Sequence, residues 1–170
     1  MFYQRAKPGD RGTTSDEWKR INRKDKTTFV RQSRSHAILV YERGTPVGWC
    51  QYRGREELPR IDARRTYRKV APPVGDAKLW RITCFFVDPK YRGRGVAKVA
   101  LRAALASIKN QGGIVEGYPV VSAKMAAVPE WRWFGTPGMF RTEGFRTVAQ
   151  LGTSGVLMRK SIPPRRPKKP

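Results

Sequence analysis

Apolar positions in this chain fall into short clustered runs and one stretch of helical period, separated by segments rich in arginine, lysine, glycine and proline. Leu79–Val87 is a continuous run of β-branched and aromatic residues, which predicts a buried strand. Asp88-Pro89 stops it, because proline lacks the N–H a ladder needs and restricts the residue before it. After a glycine-bearing turn, Val96, Val99, Ala100, Ala103, Ala104 and Ile108 recur at helical spacing, with Lys98, Arg102 and Lys109 off that face. Gly112-Gly113 ends the helix, and the apolar run Ile114–Val121 predicts the next strand. Upstream, Ala37–Glu42 and Val47–Tyr52 flank Arg43-Gly44-Thr45-Pro46, the signature of a hairpin.

The remaining punctuation fills in both ends. Thr14 and Glu17 have capping-box spacing, so a helix is expected from about Ser15 to Gln32, with Trp18, Ile21 and Phe29 as its apolar contacts. Thr136-Pro137 opens a short helix to Thr142, since threonine caps and proline suits the first turn; Gly144 breaks it. Phe145–Leu151 and Val156–Ile162 predict a closing antiparallel pair. Met1–Thr13 is polar and basic, with at most a short strand at Phe2–Arg5. Gly54–Lys78 has few apolar residues in period, and a connection of that length between strands is expected to be functional or mobile. Val121–Trp133 also lacks a pattern, and its tryptophans are expected either to pack over a cleft or to form an aromatic wall for an acceptor. These elements predict one domain over residues 1–162, and residues 163–170, PPRRPKKP, a disordered basic tail.

Charge changes the picture. The 170 residues carry a formal net charge of +23. A positive field of that size favours acidic partners: RNA, DNA, a ribonucleoprotein or an acidic protein. A generally basic proteome accounts for it equally well. Arg53, Arg55, Arg60, Arg64, Arg65, Arg68 and Lys69 would give the Gly54–Lys78 connection a basic rim. Tyr52 and Tyr67 lie among them, as phosphate contact with base stacking would require. No apolar run is long enough to span a bilayer, and the N-terminus has no apolar core of a secretory signal, so a cytoplasmic location is expected. Cys50 and Cys84 sit inside apolar runs and read as buried free thiols. With His36 the one histidine, no metal-ligand spacing exists.

The turn between the Leu79–Val87 strand and its helix is the candidate for chemistry. Glycines at a helix start let backbone N–H groups approach a ligand, and those N–H groups lack intrahelical partners. Arg92-Gly93-Arg94-Gly95 in that setting is a seat for phosphate or diphosphate. Val87-Asp88-Pro89-Lys90-Tyr91-Arg92-Gly93-Arg94-Gly95-Val96-Ala97 resembles the acyl-CoA signature of the GNAT superfamily of N-acetyltransferases, with Arg92, Gly95 and Ala97 on its core positions. Phe140 followed by Gly144-Phe145 resembles a second, weaker element of that family. The resemblance implies an α/β (α+β) fold with a central mixed, mostly antiparallel sheet flanked by helices and splayed at a cofactor cleft. It implies acetyl-CoA as cofactor, its diphosphate on Arg92, Gly93, Arg94, Gly95, Val96 and Ala97, and its pantetheine arm along the backbone of Phe85, Phe86 and Val87.

Transfer to an amine needs a free amine, a polarised carbonyl and a stabilised leaving thiolate. Glu116 and Tyr118 are two apart, share a face in a strand, and are the candidate base and acid. The tyrosine that most often serves the family as acid corresponds here to Phe140, which has no proton to give. The expected activity is an acetyl-CoA-dependent N-acyltransferase with an amine acceptor of unknown class, on an acidic macromolecule if the charge excess is functional. The alternative is a catalytically weak binding module of the same fold for nucleic acid or a ribonucleoprotein. A homodimer is left open.

Overall fold

The computed structural model describes residues 14–33, 35–121 and 133–164. Helix α1 (Ser15–Arg31) starts on the expected capping box: Glu17 N–H donates to the Thr14 hydroxyl, and the Thr14 N–H donates back to the Glu17 carboxylate. Strands β1 (Ala37–Glu42) and β2 (Thr45–Gly54) form the hairpin, with Arg43 and Gly44 both at positive φ in its turn. Strand β3 (Leu79–Val87) lies antiparallel to β2. Helix α4 (Val96–Ile108) follows, then β4 (Gly113–Gly117), helix α5 (Pro137–Thr142), and the antiparallel pair β5 (Arg146–Leu151) and β6 (Gly155–Ile162). The sheet order is β1-β2-β3-β4-β6-β5, and every neighbouring pair is antiparallel except β3 and β4. This is the mixed, mostly antiparallel sheet flanked by helices that was expected.

The structure departs from the sequence reading in two places. Gly54–Lys78, for which no element was expected, folds into a 3-10 turn (Arg55–Glu57) and two short helices, α2 (Pro59–Ala63) and α3 (Arg65–Val70). The sequence has no helical period there because only Leu58, Ile61 and Tyr67 face inward, and tertiary packing against Leu157 rather than local propensity holds the turns. The strand after α4 ends at Gly117 instead of Val121, because Pro119 interrupts it; Val120 makes one isolated bridge to Gly155. The expected strand at Phe2–Arg5, the side chain of Trp18, Trp131 and the tail from residue 165 onward lie outside the described residues.

The two faces of the sheet differ in chemistry. On one, Ala100, Leu101, Ala104, Leu105 and Ile108 of α4 pack onto Tyr52, Trp80, Ile82, Val115 and Met158. The other carries a row of charge. Arg53 of β2, Arg81 of β3, Glu116 of β4 and Arg159 of β6 occupy successive register positions, and the first three are fully buried. Buried charge persists only when paired. The segment between β2 and β3 supplies the partners. Asp62 takes a bidentate pair from Arg81 at 2.7 and 2.9 Å and a further contact from Arg55 at 3.1 Å. Glu57 lies 3.4 Å from Arg53, whose guanidinium also covers the Phe29 ring of α1 at 4.8 Å. The inserted helices are thus a counter-ion lid on the sheet.

β3 and β4 pair only over Leu79–Ile82 and Ile114–Gly117. Beyond that point β3 stays bonded to β2 as far as Val87 but has lost its β4 neighbour. Fully buried Phe140 of α5 sits at the parting, edge-on to Phe85 at 6.1 Å and to Phe145 at 4.9 Å. Its ring takes the space a Cβ at Gly117 would need, within 2.4 Å. Gly117→Ala should therefore destabilise the fold by about 1–3 kcal/mol, read as a lower urea midpoint; an unchanged midpoint would show that the ring is free to yield.

A second expectation concerns acid. Burial pushes the Asp62 carboxyl up, but the hydrogen bonds and charges of Arg81 and Arg55 outweigh it and hold the group below its usual range. A depressed folded value means stabilisation that is complete well above the ordinary Asp value of about 3.9 and is lost as the pH falls through the lower folded value. Amide exchange in α2 and α3 should therefore accelerate below about pH 4 before that of α4 does; equal protection of all three helices across that range would refute the lid's dependence on Asp62.

Candidate active site

The glycine turn is built as its composition suggests. Asp88 caps a 3-10 turn (Pro89–Tyr91) by accepting from Lys90 N–H at 2.9 Å, which turns the chain away from the end of β3. Gly93 and Gly95 then take φ of +76° and +79°, a region that favours glycine, and a Cβ at either would meet nothing within 4 Å. Gly95 is the N-cap of α4, so the free N–H groups of the first turn and the positive end of a 13-residue helix face this open ground. Arg92 Nε donates to the Val87 carbonyl at 3.3 Å, tying the turn back to β3.

A cavity of about 520 Å³ opens from this cradle along β3 to α5. Eight of the nine candidate cofactor residues line it: Phe85, Phe86, Val87, Arg92, Gly93, Gly95, Val96 and Ala97. Arg94 is the exception, its guanidinium lying over the Tyr91 ring at 5.4 Å. Trp133, Gly135, Thr136 and Met139 form the far wall with Lys98 on α4, and of these only Trp133 was expected at a cleft. Trp133 had been read as covering or walling a cleft, and it does line this one. The residues fit coenzyme A: an open, glycine-lined helix start for a diphosphate, and beside it a strand edge with no ladder partner among the described residues for a chain of amides.

Glu116 and Tyr118 share a face as expected, but it is the face under α2 and α3. The Tyr118 hydroxyl donates to Glu116 Oε2 at 2.6 Å. Tyr67 donates to the same carboxylate at 3.0 Å, and Arg159 Nε at 2.9 Å. Arg81 Nε lies 3.5 Å away. Glu116 lines neither cavity, and its oxygens are taken up by two phenols and two guanidiniums. Burial, then the Glu116 charge, pushes the Tyr118 phenol well above its usual range, so it stays protonated. Burial and Glu116 raise Tyr67 as well. Phe140 belongs to the apolar core.

The basic rim is corrected in part. Arg53, Tyr52 and Tyr67 are buried and offer nothing to stack on, whereas Arg64, Arg65, Arg68 and Lys69 are exposed. The Tyr67–Glu116–Arg81 cluster was legible only as charges inside apolar strands, which signals an unseen partner without naming it. Cys50 and Cys84 are free, and burial raises both thiols, as befits packing residues. Among the described residues, no group of His, Cys, Asp or Glu could hold a metal ion, and no helix is long and apolar enough to cross a membrane.

Several solved structures share the fold. Ribosomal-protein-alanine N-acetyltransferase from Brucella melitensis matches with a TM-score of 0.53 at 12% identity, over 84% of this chain and 78% of its own. Histone acetyltransferase HPA2 and related acetyltransferase from Corynebacterium glutamicum gives 0.53 at 16%, over 93% and 81%. The NatC complex bound to Gag peptide and CoA gives 0.50 at 14%, over 82% and 79%. No curated protein matches. The family model described as the acetyltransferase (GNAT) family matches residues 2–135, most of the chain and the whole of the glycine cradle, and the chain belongs to that family.

Proposed function

We propose that this chain transfers the acetyl group of acetyl-CoA to an amine. The observation that carries the reading is the open glycine cradle at the start of α4, leading into a cavity beside the part of β3 that β4 has left. Arg92, Gly93, Arg94, Gly95, Val96 and Ala97 hold the diphosphate, Arg94 through its backbone N–H. The backbone of Phe85, Phe86 and Val87 pairs with the pantetheine arm, and an N–H there polarises the thioester carbonyl. Coenzyme A supplies the activated acyl group and the leaving thiolate. The amine nitrogen bonds to the carbonyl carbon, the C–S bond breaks, the amine gives up a proton, and the sulfur gains one.

Tyr118 is the candidate acid: it stays a neutral phenol just past the end of β4, and to protonate the thiolate its hydroxyl must turn from Glu116, which accepts its hydrogen bond at 2.6 Å. Glu116 acts as a positioning residue, fixing the place of the phenol oxygen from a carboxylate that is itself clamped. The net charge of +23 and the exposed cations of α3 support an anionic acceptor. They also lower the proton affinity of an amine held nearby, which favours the free base without a dedicated carboxylate.

Gly95→Asp tests the cradle: a side chain there meets no neighbour but strains the backbone at φ +79°, so a carboxylate facing the diphosphate should weaken acetyl-CoA binding at least tenfold, about 1.4 kcal/mol, beyond Gly95→Ala, which shares the strain without the charge. Equal affinity of the two variants by calorimetry would remove the reading. Tyr118→Phe should lower kcat by roughly a hundredfold with acetyl-CoA affinity intact; an unaltered kcat would free Tyr118 from the acid role. Phe140, a core side chain where a phenol would otherwise stand, favours the second reading, a binding module of this fold. Acetyl-CoA that binds but releases no thiol with any amine, alongside salt-sensitive RNA binding, would establish that instead.

A further inference from the structure

A second cavity, of about 200 Å³, lies between α3 and the ends of β4 and β6. Nothing in the family match or the cradle assigns it an occupant. Its walls are Ile61 and Tyr67 of the inserted helices, Tyr118 and Val120 beyond β4, Leu151 of β5, and Phe134. One short strip of chain borders both cavities. Trp133, Phe134 and Gly135 are consecutive, and the first and third line the coenzyme cavity while the middle one lines this cavity. Tyr118 stands here too, just past the last paired residue of β4.

The chemistry of the lining is selective. An apolar space of about 150 Å³ accepts a benzene ring, so this one takes a phenyl or branched alkyl group with a few further atoms. Among the described residues its polar side chains are hydroxyls, from Tyr67, Tyr118, Thr66 and Ser154, and one cation, Arg64. No carboxylate among the described residues lines it: Glu116 and Asp62 are engaged behind the wall by Arg81, Arg159 and Arg55. A polycationic amine has no counter-charge here. An amine with a carboxylate a few bonds away does, and a guanidinium with five donors can serve that carboxylate while keeping another partner.

We propose that this cavity is the acceptor site and that the acceptor is a small apolar aminocarboxylate, an amino acid with an aromatic or branched side chain. Its side chain fills the apolar wall, its carboxylate meets Arg64, and its amine points past Phe134 to the thioester. The assignment rests on the acetyltransferase reading, and it makes the inserted helices the specificity element.

Thiol release from acetyl-CoA should be measured with phenylalanine, leucine, phenylalaninamide and spermidine, beside calorimetry of acetyl-CoA alone. Phenylalanine should exceed phenylalaninamide at least tenfold in kcat/KM, and spermidine should give no release above background. Arg64→Ala should raise the KM for phenylalanine at least tenfold while leaving kcat and the phenylalaninamide KM unmoved. Leu151→Trp, which fills the cavity from its partly exposed rim, should abolish transfer and keep acetyl-CoA affinity. Equal use of acid and amide, preference for spermidine, or acetylation of RNA or protein with none of the free amines would overturn the small-aminocarboxylate assignment and leave the acetyltransferase reading standing. Failure to bind acetyl-CoA would overturn both.

Discussion

A single row of charge buried across four strands governs how this molecule is put together. Arg53, Arg81, Glu116 and Arg159 stand side by side on one face of the sheet. Three cations against one anion cannot be sealed from water without further carboxylates. The chain answers by inserting a segment that carries Glu57 and Asp62 to the row and lays Leu58, Ile61 and Tyr67 over it. The lid over the sheet is therefore a requirement of the strands beneath it. The same row holds Tyr118 in place, because the carboxylate that accepts its hydrogen bond is itself fixed from both sides.

The other face works mainly by packing, with the Trp80 indole donating to the Gly112 carbonyl and the Tyr52 hydroxyl meeting Ser107. There α4 seals the sheet with small and branched residues, and Phe140 presses against a glycine where β3 and β4 separate. The parting is what leaves strand edge available beside the helix start. The two cavities stand on either side of it, one backed by α4 and α5, the other by the lid. An aromatic without a hydroxyl suits that wedge, since a buried phenol there would need a partner that the surrounding rings do not provide.

How much of this was readable in advance follows from range. The capping box at Thr14, the hairpin around Gly44 and the strand–turn–helix at Gly93–Gly95 are local signals, set by neighbours within a few residues, and each appears where its pattern put it. The cradle residues followed from the same logic, except that the Arg94 side chain found Tyr91 instead. The inserted helices were missed because three inward side chains spread over ten residues make no period. The ion cluster was missed because Glu116, Arg159, Arg81 and Asp62 meet only after three strands and a lid have assembled. Pro119 did shorten β4, a local cue outweighed in the reading by the apolar residues around it.

The bidentate hold of Asp62 on Arg81 has one more implication. It joins a short surface helix to the middle of the sheet through two rigid, planar groups, a connection with a definite geometry and little slack. Lysine in place of Arg81 would keep the charge but hold Asp62 as a point instead of a fork, letting the helix pair swivel. Relatives that trade the fork for a point contact, or drop the pair, would be expected to vary first in what they admit beneath that helix and only afterwards in whether they fold.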